Sequence, residues 1–130
     1  MPIPDSWSSK FLSVLRIISG LGFLHHGTMK LFQLPPPPPG MSGPLNPLMM
    51  AAGTLELVGG LLIVIGLFTR PVAFVLSGMM AVAYFMAHAP QGMYPALNGG
   101  EPAMLYCFIF LYLAAAGGGI WSADAARNKG

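Results

Sequence analysis

The sequence predicts an all-α integral membrane protein, a bundle of four transmembrane helices with both termini in the cytoplasm. Three observations carry this. Charged residues make up 8% of the 130-residue chain and hydrophobic residues 55%, whereas a typical soluble domain is about 25% charged. Four apolar runs, at about 11–32, 48–68, 71–89 and 103–121, are each long enough to cross a hydrocarbon core of about 30 Å. Basic residues are unevenly placed. Four crossings put Lys10, Arg70, Arg127 and Lys129 on one side, with Arg16 just inside the first helix, and leave Lys30 on the other. The positive-inside rule assigns the first side to the cytoplasm. At this length the chain is expected to be a single domain, 1–130.

The net charge of +2 is too small to suggest nucleic acid as a partner. The lipid bilayer is the partner that composition demands. A lone cysteine, Cys107, allows neither an internal disulfide nor a CxxC redox pair.

The segment before Phe11 is short and polar, with Trp7 as an interfacial aromatic. It does not read as a signal peptide, because Asp5 sits where a basic region belongs and no A-x-A site follows the apolar run. In the first helix Ser13, Arg16, Gly20, Phe23, Gly27 and Lys30 are spaced 3-4-3-4-3 and form one stripe. The two glycines on it let a neighbouring backbone approach closely. His25 and His26 lie beside the stripe in the outward half. The loop 33–47 contains PPPPPG, which favours an extended polyproline II path and reads as an outward spacer.

The second run carries Glu56 in an otherwise apolar stretch, with Gly53, Gly59 and Gly60 about one turn away on either side. A carboxylate at that depth costs about 2.5 kcal/mol or more and should face protein rather than lipid. Arg16 is the expected counter-ion, reaching it along a tilted helix. Thr69 and Pro71 suit the start of the third helix, in which Ser77, Ala81, Tyr84 and His88 share a face. The second outward loop holds Asn98 and Glu101, with Pro102 opening the fourth helix. There Tyr106, Phe110, Leu113 and Gly117 share a face, and Gly117, Gly118 and Gly119 weaken the cytoplasmic end.

The polar residues of these helices gather in the outward half, and three chemistries fit them. A quinone-like or small aromatic ligand needs an apolar slot and polar groups at its oxygens. Phe23, Tyr84, Phe85 and Tyr106 supply walls, and Glu56, His26 and His88 supply proton-exchanging groups. Arg16, His25, Lys30, Tyr84, Asn98, Glu101 and Tyr106 are the candidate ligand-binding residues. The alternative is an aromatic core with satisfied histidines and an Arg16–Glu56 clamp. A metal or haem site is not expected. His26 with His88 is the best axial pair, but there is no Glu-x-x-His or HExxH motif. A proton or solute path through Glu56 would need an oligomer, since four short helices enclose little volume. Abundant small residues make a homo-oligomer plausible, and Cys107 reads as inert packing.

Arg16, Gly20, Gly27 and Lys30-Leu31-Phe32, then Glu56-Leu-Val-Gly-Gly, Gly66-Leu-Phe-Thr-Arg-Pro, His88, Asn98-Gly-Gly-Glu101, Tyr106 and Ser122-Ala-Asp124 occur in this order. In this the chain resembles the DoxX family, over nearly its whole length. The Pro-rich loop is not part of the family pattern. The resemblance implies a four-helix, multi-pass protein of the bacterial inner membrane, linked to quinone chemistry and to redox complexes. It marks Arg16, Glu56, His88, Asn98 and Glu101 as matching positions. Possession of a quinone and of a redox-enzyme partner is what it leads one to expect. The rivals are a non-catalytic membrane subunit that scaffolds a redox complex and a small-solute transporter. With no cofactor motif in the chain, electrons would come from a partner or from a bound quinol.

Overall fold

A computed structural model describes residues 2–38 and 46–128. Their regular structure is helical, with no strand among the described residues. Part of the Pro-rich loop (39–45) and Lys129 lie outside them. The helices are α1 (Ser8–Phe32), α2 (Pro47–Ile65), α3 (Thr69–Ala83), α4 (Pro95–Asn98), α5 (Glu101–Ala116) and α6 (Ala123–Asn128). A 3-10 turn, Asp5–Trp7, leads into α1. The chain forms two compact units. One comprises the residues up to Phe68 together with those from Gly118 onward, and the other comprises Thr69–Gly117.

The first unit is an antiparallel α1–α2 pair. The stripe on α1 is buried at Ser13, Arg16, Gly20, Phe23 and Gly27, and the matching face of α2 at Gly53, Glu56, Gly59, Gly60 and Ile63. The two backbones nearly touch. A Cβ on Gly27 would lie 2.7 Å from the Leu57 nitrogen, and one on Gly60 would lie 2.9 Å from the Leu24 Cα. Only glycine tolerates such an approach, as the stripe anticipates. α2 begins with a cap that the sequence signals as Asn46-Pro47: the Asn46 side chain accepts from the Met49 N–H at 2.8 Å, and Pro47 opens the helix. It ends at Gly66, whose N–H and that of Leu67 both return to the Leu62 carbonyl, a left-handed cap of the Schellman kind.

The second unit pairs α3 with α5, burying Ala73, Leu76, Ser77 and Met80 against Ala103, Phe110 and Leu113. Here the structure departs from a continuous helix over 71–89. After Ala83 the chain widens into a π-helical segment, Tyr84–His88, and then a 3-10 turn, Ala89–Gln91. Pro90 has no N–H to return to the preceding turn, so α-helical bonding cannot run through it. The Ala89 N–H instead reaches back five residues to the Tyr84 carbonyl. The fourth apolar run also ends earlier than the expected 121. α5 stops at Ala116 because Gly117 turns out of helical geometry, at φ 84°. From Gly118 onward the chain belongs to the first unit.

The surface is apolar as well. Val14, Leu15 and Ile18 on α1, Leu55, Val58 and Leu61 on α2, Phe74, Val75 and Val82 on α3, and Leu105 and Phe108 on α5 are all exposed. Exposed apolar side chains in that number on each unit suit an apolar surrounding. The helical runs Pro47–Ile65 and Thr69–Gln91 are long and apolar enough to cross a membrane. α5 is apolar but 16 residues long, about 24 Å at helical rise.

Candidate functional site

Two charged groups are buried in the first unit, and the fold treats them differently. The first is Arg16, 1% exposed. Its Nε donates to the Ile63 carbonyl at 2.9 Å, and Nη2 donates to the carbonyls of Trp121 at 2.7 Å and Val64 at 3.3 Å. Nη1 donates to the Gly118 carbonyl. Four of the five guanidinium donors therefore end on backbone oxygens. Two of these oxygens close α2, where the helix dipole places partial negative charge. The other two belong to the segment after Gly117. Ser13 Oγ completes the seam by accepting from the Trp121 N–H at 3.0 Å and donating to the Gly118 carbonyl at 3.1 Å.

The same end is laced by short polar side chains that sequence reasoning did not single out for this role. Ser9 Oγ accepts from the Ile120 N–H at 3.0 Å. Ser122 Oγ accepts from the Ala125 N–H at 3.1 Å and so caps α6. Asp124 accepts from the Phe68 N–H at 2.9 Å through its carboxylate and donates its own N–H to the Gly66 carbonyl at 2.9 Å. The Ser-x-x-Ala start of α6 was the one sequence signal for this lacing. Arg127 lies over the Phe68 ring at 5.0 Å, and Lys10 over Trp7 at 4.3 Å.

The second buried charge is Glu56, and its partner is Lys30. Lys30 Nζ lies 2.6 Å from Glu56 Oε1, with the side chains 24% and 3% exposed respectively. The expected Arg16–Glu56 pair does not form. The antiparallel register explains this: Gly20 faces Val64, Leu24 faces Gly60 and Gly27 faces Leu57. Glu56 therefore lies level with Thr28. That is two residues from Lys30 and twelve from Arg16, about 18 Å at helical rise. Counting depth along separate helices misjudged this offset, because it did not fix the pairing. His26 is half-buried on the same part of α1. His25 is exposed, and its ring stacks on that of His26 at 4.8 Å.

The second unit has a polar cluster of its own, without a formal charge. Asn98 is 4% exposed. Its side-chain oxygen accepts from the Gly100 N–H at 2.8 Å, and its nitrogen donates to the Gly92 carbonyl at 3.0 Å and to the Tyr84 hydroxyl at 3.2 Å. His88 Nδ1 lies 3.2 Å from the Asn98 carbonyl. Tyr84 and His88, expected on one helix face, and Asn98, expected in the following loop, lie together in this cluster. Glu101 is exposed in the first turn of α5. Tyr106 is half-buried and stacks on Phe110 at 5.7 Å, the face-sharing its spacing predicts. No group of three His, Cys, Asp or Glu side chains suited to a metal ion occurs among the described residues.

The chain matches the DoxX family over residues 11–89, a stretch that includes Arg16, Lys30, Glu56 and His88. An uncharacterised protein of Haemophilus influenzae is 43% identical to it over 124 residues, which is 92% of each chain. No solved structure matches it. The chain belongs to the DoxX family, and its apolar helices are those of a membrane protein.

Proposed function

We propose that the protein is a four-helix, multi-pass component of the bacterial inner membrane, with cytoplasmic termini, that binds a quinone-like or small aromatic molecule at the Lys30–Glu56 pair. The observation that carries this is the contrast between the partners of the two buried charges. Arg16 is occupied by backbone carbonyls. Lys30 is held by a single carboxylate oxygen and retains an exposed fraction. An ammonium has three donors, so Lys30 can keep Glu56 and still give a hydrogen bond to a ligand oxygen. Glu56 and His26 then provide groups able to exchange a proton with that ligand. Electrons come from a redox-enzyme partner or from the quinol itself, since the chain supplies no redox centre.

Co-purification tests this. Protein extracted with its native lipids carries quinone detectable by mass spectrometry, and Glu56→Gln lowers the amount about tenfold while the helical signal is retained, the scale of losing one charged hydrogen bond. Equal quinone in both, or none in either, removes the ligand reading.

The Arg16 seam favours a second reading, in which the chain is a scaffold and the end built by α6 docks a redox enzyme. On that reading Glu56→Gln leaves the partner complex intact and substitutions at Asp124 break it.

A further inference from the structure

The Asn98 cluster of the second unit is not needed for the Lys30–Glu56 site, and its hydrogen bonds can be oriented atom by atom. The Gly100 N–H can only donate, so the Asn98 atom facing it is the oxygen. The Gly92 carbonyl can only accept, so the Asn98 atom facing it is the nitrogen. These two contacts fix the amide independently of each other. The second hydrogen on that nitrogen goes to the Tyr84 hydroxyl, so the phenol oxygen accepts and its own hydrogen is directed elsewhere. The Asn98 backbone carbonyl also only accepts, so the His88 nitrogen facing it carries a proton. In the neutral ring this leaves Nε2 as a bare acceptor.

Tyr84 and His88 are both half-buried, and their ring centroids lie 6.4 Å apart. The π-helical segment places both on a widened turn, a distortion frequent at functional sites. Gly100 packs beneath them so closely that a Cβ there would meet the Tyr84 ring at 2.7 Å and the His88 Cβ at 2.8 Å.

We propose that Tyr84 and His88 form a second ligand site that offers one donor, the Tyr84 hydroxyl, and one acceptor, His88 Nε2, on neighbouring rings, and therefore selects the hydroxyl-bearing, reduced form of an aromatic ligand over its oxidised form. A quinol hydroxyl donates to His88 Nε2, and an oxygen of the ligand receives the Tyr84 hydrogen. A quinone has only acceptor oxygens and leaves Nε2 facing an acceptor. Asn98 is a positioning residue that sets both groups. The ligand class rests on the reading proposed above. The donor–acceptor assignment does not.

The test uses the full chain in lipid nanodiscs, with tetramethylhydroquinone, its dimethyl ether and tetramethylbenzoquinone as probes. The wild type binds the quinol about tenfold more tightly than the quinone or the ether, the scale of one well-made hydrogen bond. His88→Phe abolishes that preference by lowering quinol affinity about tenfold. Nitrogen-15 NMR of the wild type shows the His88 ring protonated at Nδ1 and bare at Nε2, a readout that needs no variant. An Nε2-protonated ring, a preference that survives His88→Phe, or no preference in the wild type overturns the inference. Glu56→Gln separates the two sites. If it abolishes quinone binding while the quinol preference is absent, the Lys30–Glu56 reading stands and this inference falls. If it changes nothing while His88→Phe removes the preference, the reverse holds. Failure of the wild type to bind either form removes both.

Discussion

The two helix pairs solve the same packing problem by opposite means. α1 and α2 meet backbone to backbone at Gly20, Gly27 and Gly60, and their buried polar groups include two charged ones, Arg16 and Glu56, beside the hydroxyls of Ser13 and Ser19. α3 and α5 meet through side chains, with Leu76 and Phe110 fully buried, and their buried polar groups are neutral. The close approach exposes helix-end carbonyls to a side chain running along the seam. That gives the Arg16 guanidinium its four backbone acceptors. In the α3–α5 pair the buried polar tie is a single hydroxyl bond from Ser77 to the Cys107 carbonyl, and the one guanidinium, Arg70, is exposed and donates to the Ala114 and Ala115 carbonyls at the end of α5. Buried charge is held in the α1–α2 pair in two ways, by backbone carbonyls at Arg16 and by an opposite charge at Glu56.

Removing the charge is the most direct way to break the contrast. Arg16→Met leaves the Trp121 carbonyl without its charged donor, at about 1–3 kcal/mol for a buried unsatisfied group, and leaves the Gly118 carbonyl with Ser13 Oγ alone. The expected loss is about 3–5 kcal/mol with the severed tie to the Gly118 segment included. It is read as a lower midpoint for SDS-induced unfolding in mixed micelles, together with earlier proteolysis after Gly117. Arg16→Lys recovers only part of the loss, because an ammonium cannot span carbonyls that a planar fork reaches at once. Full recovery by lysine would show that charge matters rather than geometry.

The seam itself can be tested by adding volume. Gly27→Val puts a branched side chain where even a Cβ meets the Leu57 nitrogen at 2.7 Å, so the helices must separate. Overpacking of this kind costs about 1–3 kcal/mol, and the displacement also pulls Lys30 from Glu56. Gly78→Ala is the control: a Cβ there has nothing within 4 Å, and the change should be neutral or slightly stabilising. The same unfolding titration, run on both variants, separates close approach from mere glycine content.

Which parts could be read from the sequence follows from the same difference. The stripe on α1 was visible because 3-4 spacing maps directly onto one helix face, and the structure buries most of it. The pairing of Glu56 was not, because it depends on the register between two helices. An offset of two residues from Lys30 against twelve from Arg16 decides the partner, and no single helix records it. The destination of the guanidinium was hidden for another reason: its acceptors are backbone atoms of Ile63, Val64, Gly118 and Trp121, which no side-chain motif marks. The shared face of Tyr84 and His88 follows from their spacing, whereas the bonds that bring Asn98 to them are marked by no spacing. The π-helical widening was signalled only by Pro90, read as a helix end rather than as a change of pitch.

The smallest effect belongs to the side-chain-packed pair. Ser77 Oγ donates to the Cys107 carbonyl at 2.7 Å and lies 3.6 Å from Cys107 Sγ. The Cys107 carbonyl lies inside α5 and has the helix's own N–H as a partner, so losing the serine does not orphan it. Interhelical hydrogen bonds in membranes average about 0.6 kcal/mol, and Ser77→Ala should cost about that much on the same unfolding scale. A loss as large as that for Arg16→Met would mean that a neutral hydroxyl can do for α3 and α5 what a guanidinium does for α1 and α2. The distinction between the two pairs would then lie in the geometry of approach alone and not in the charge it shelters.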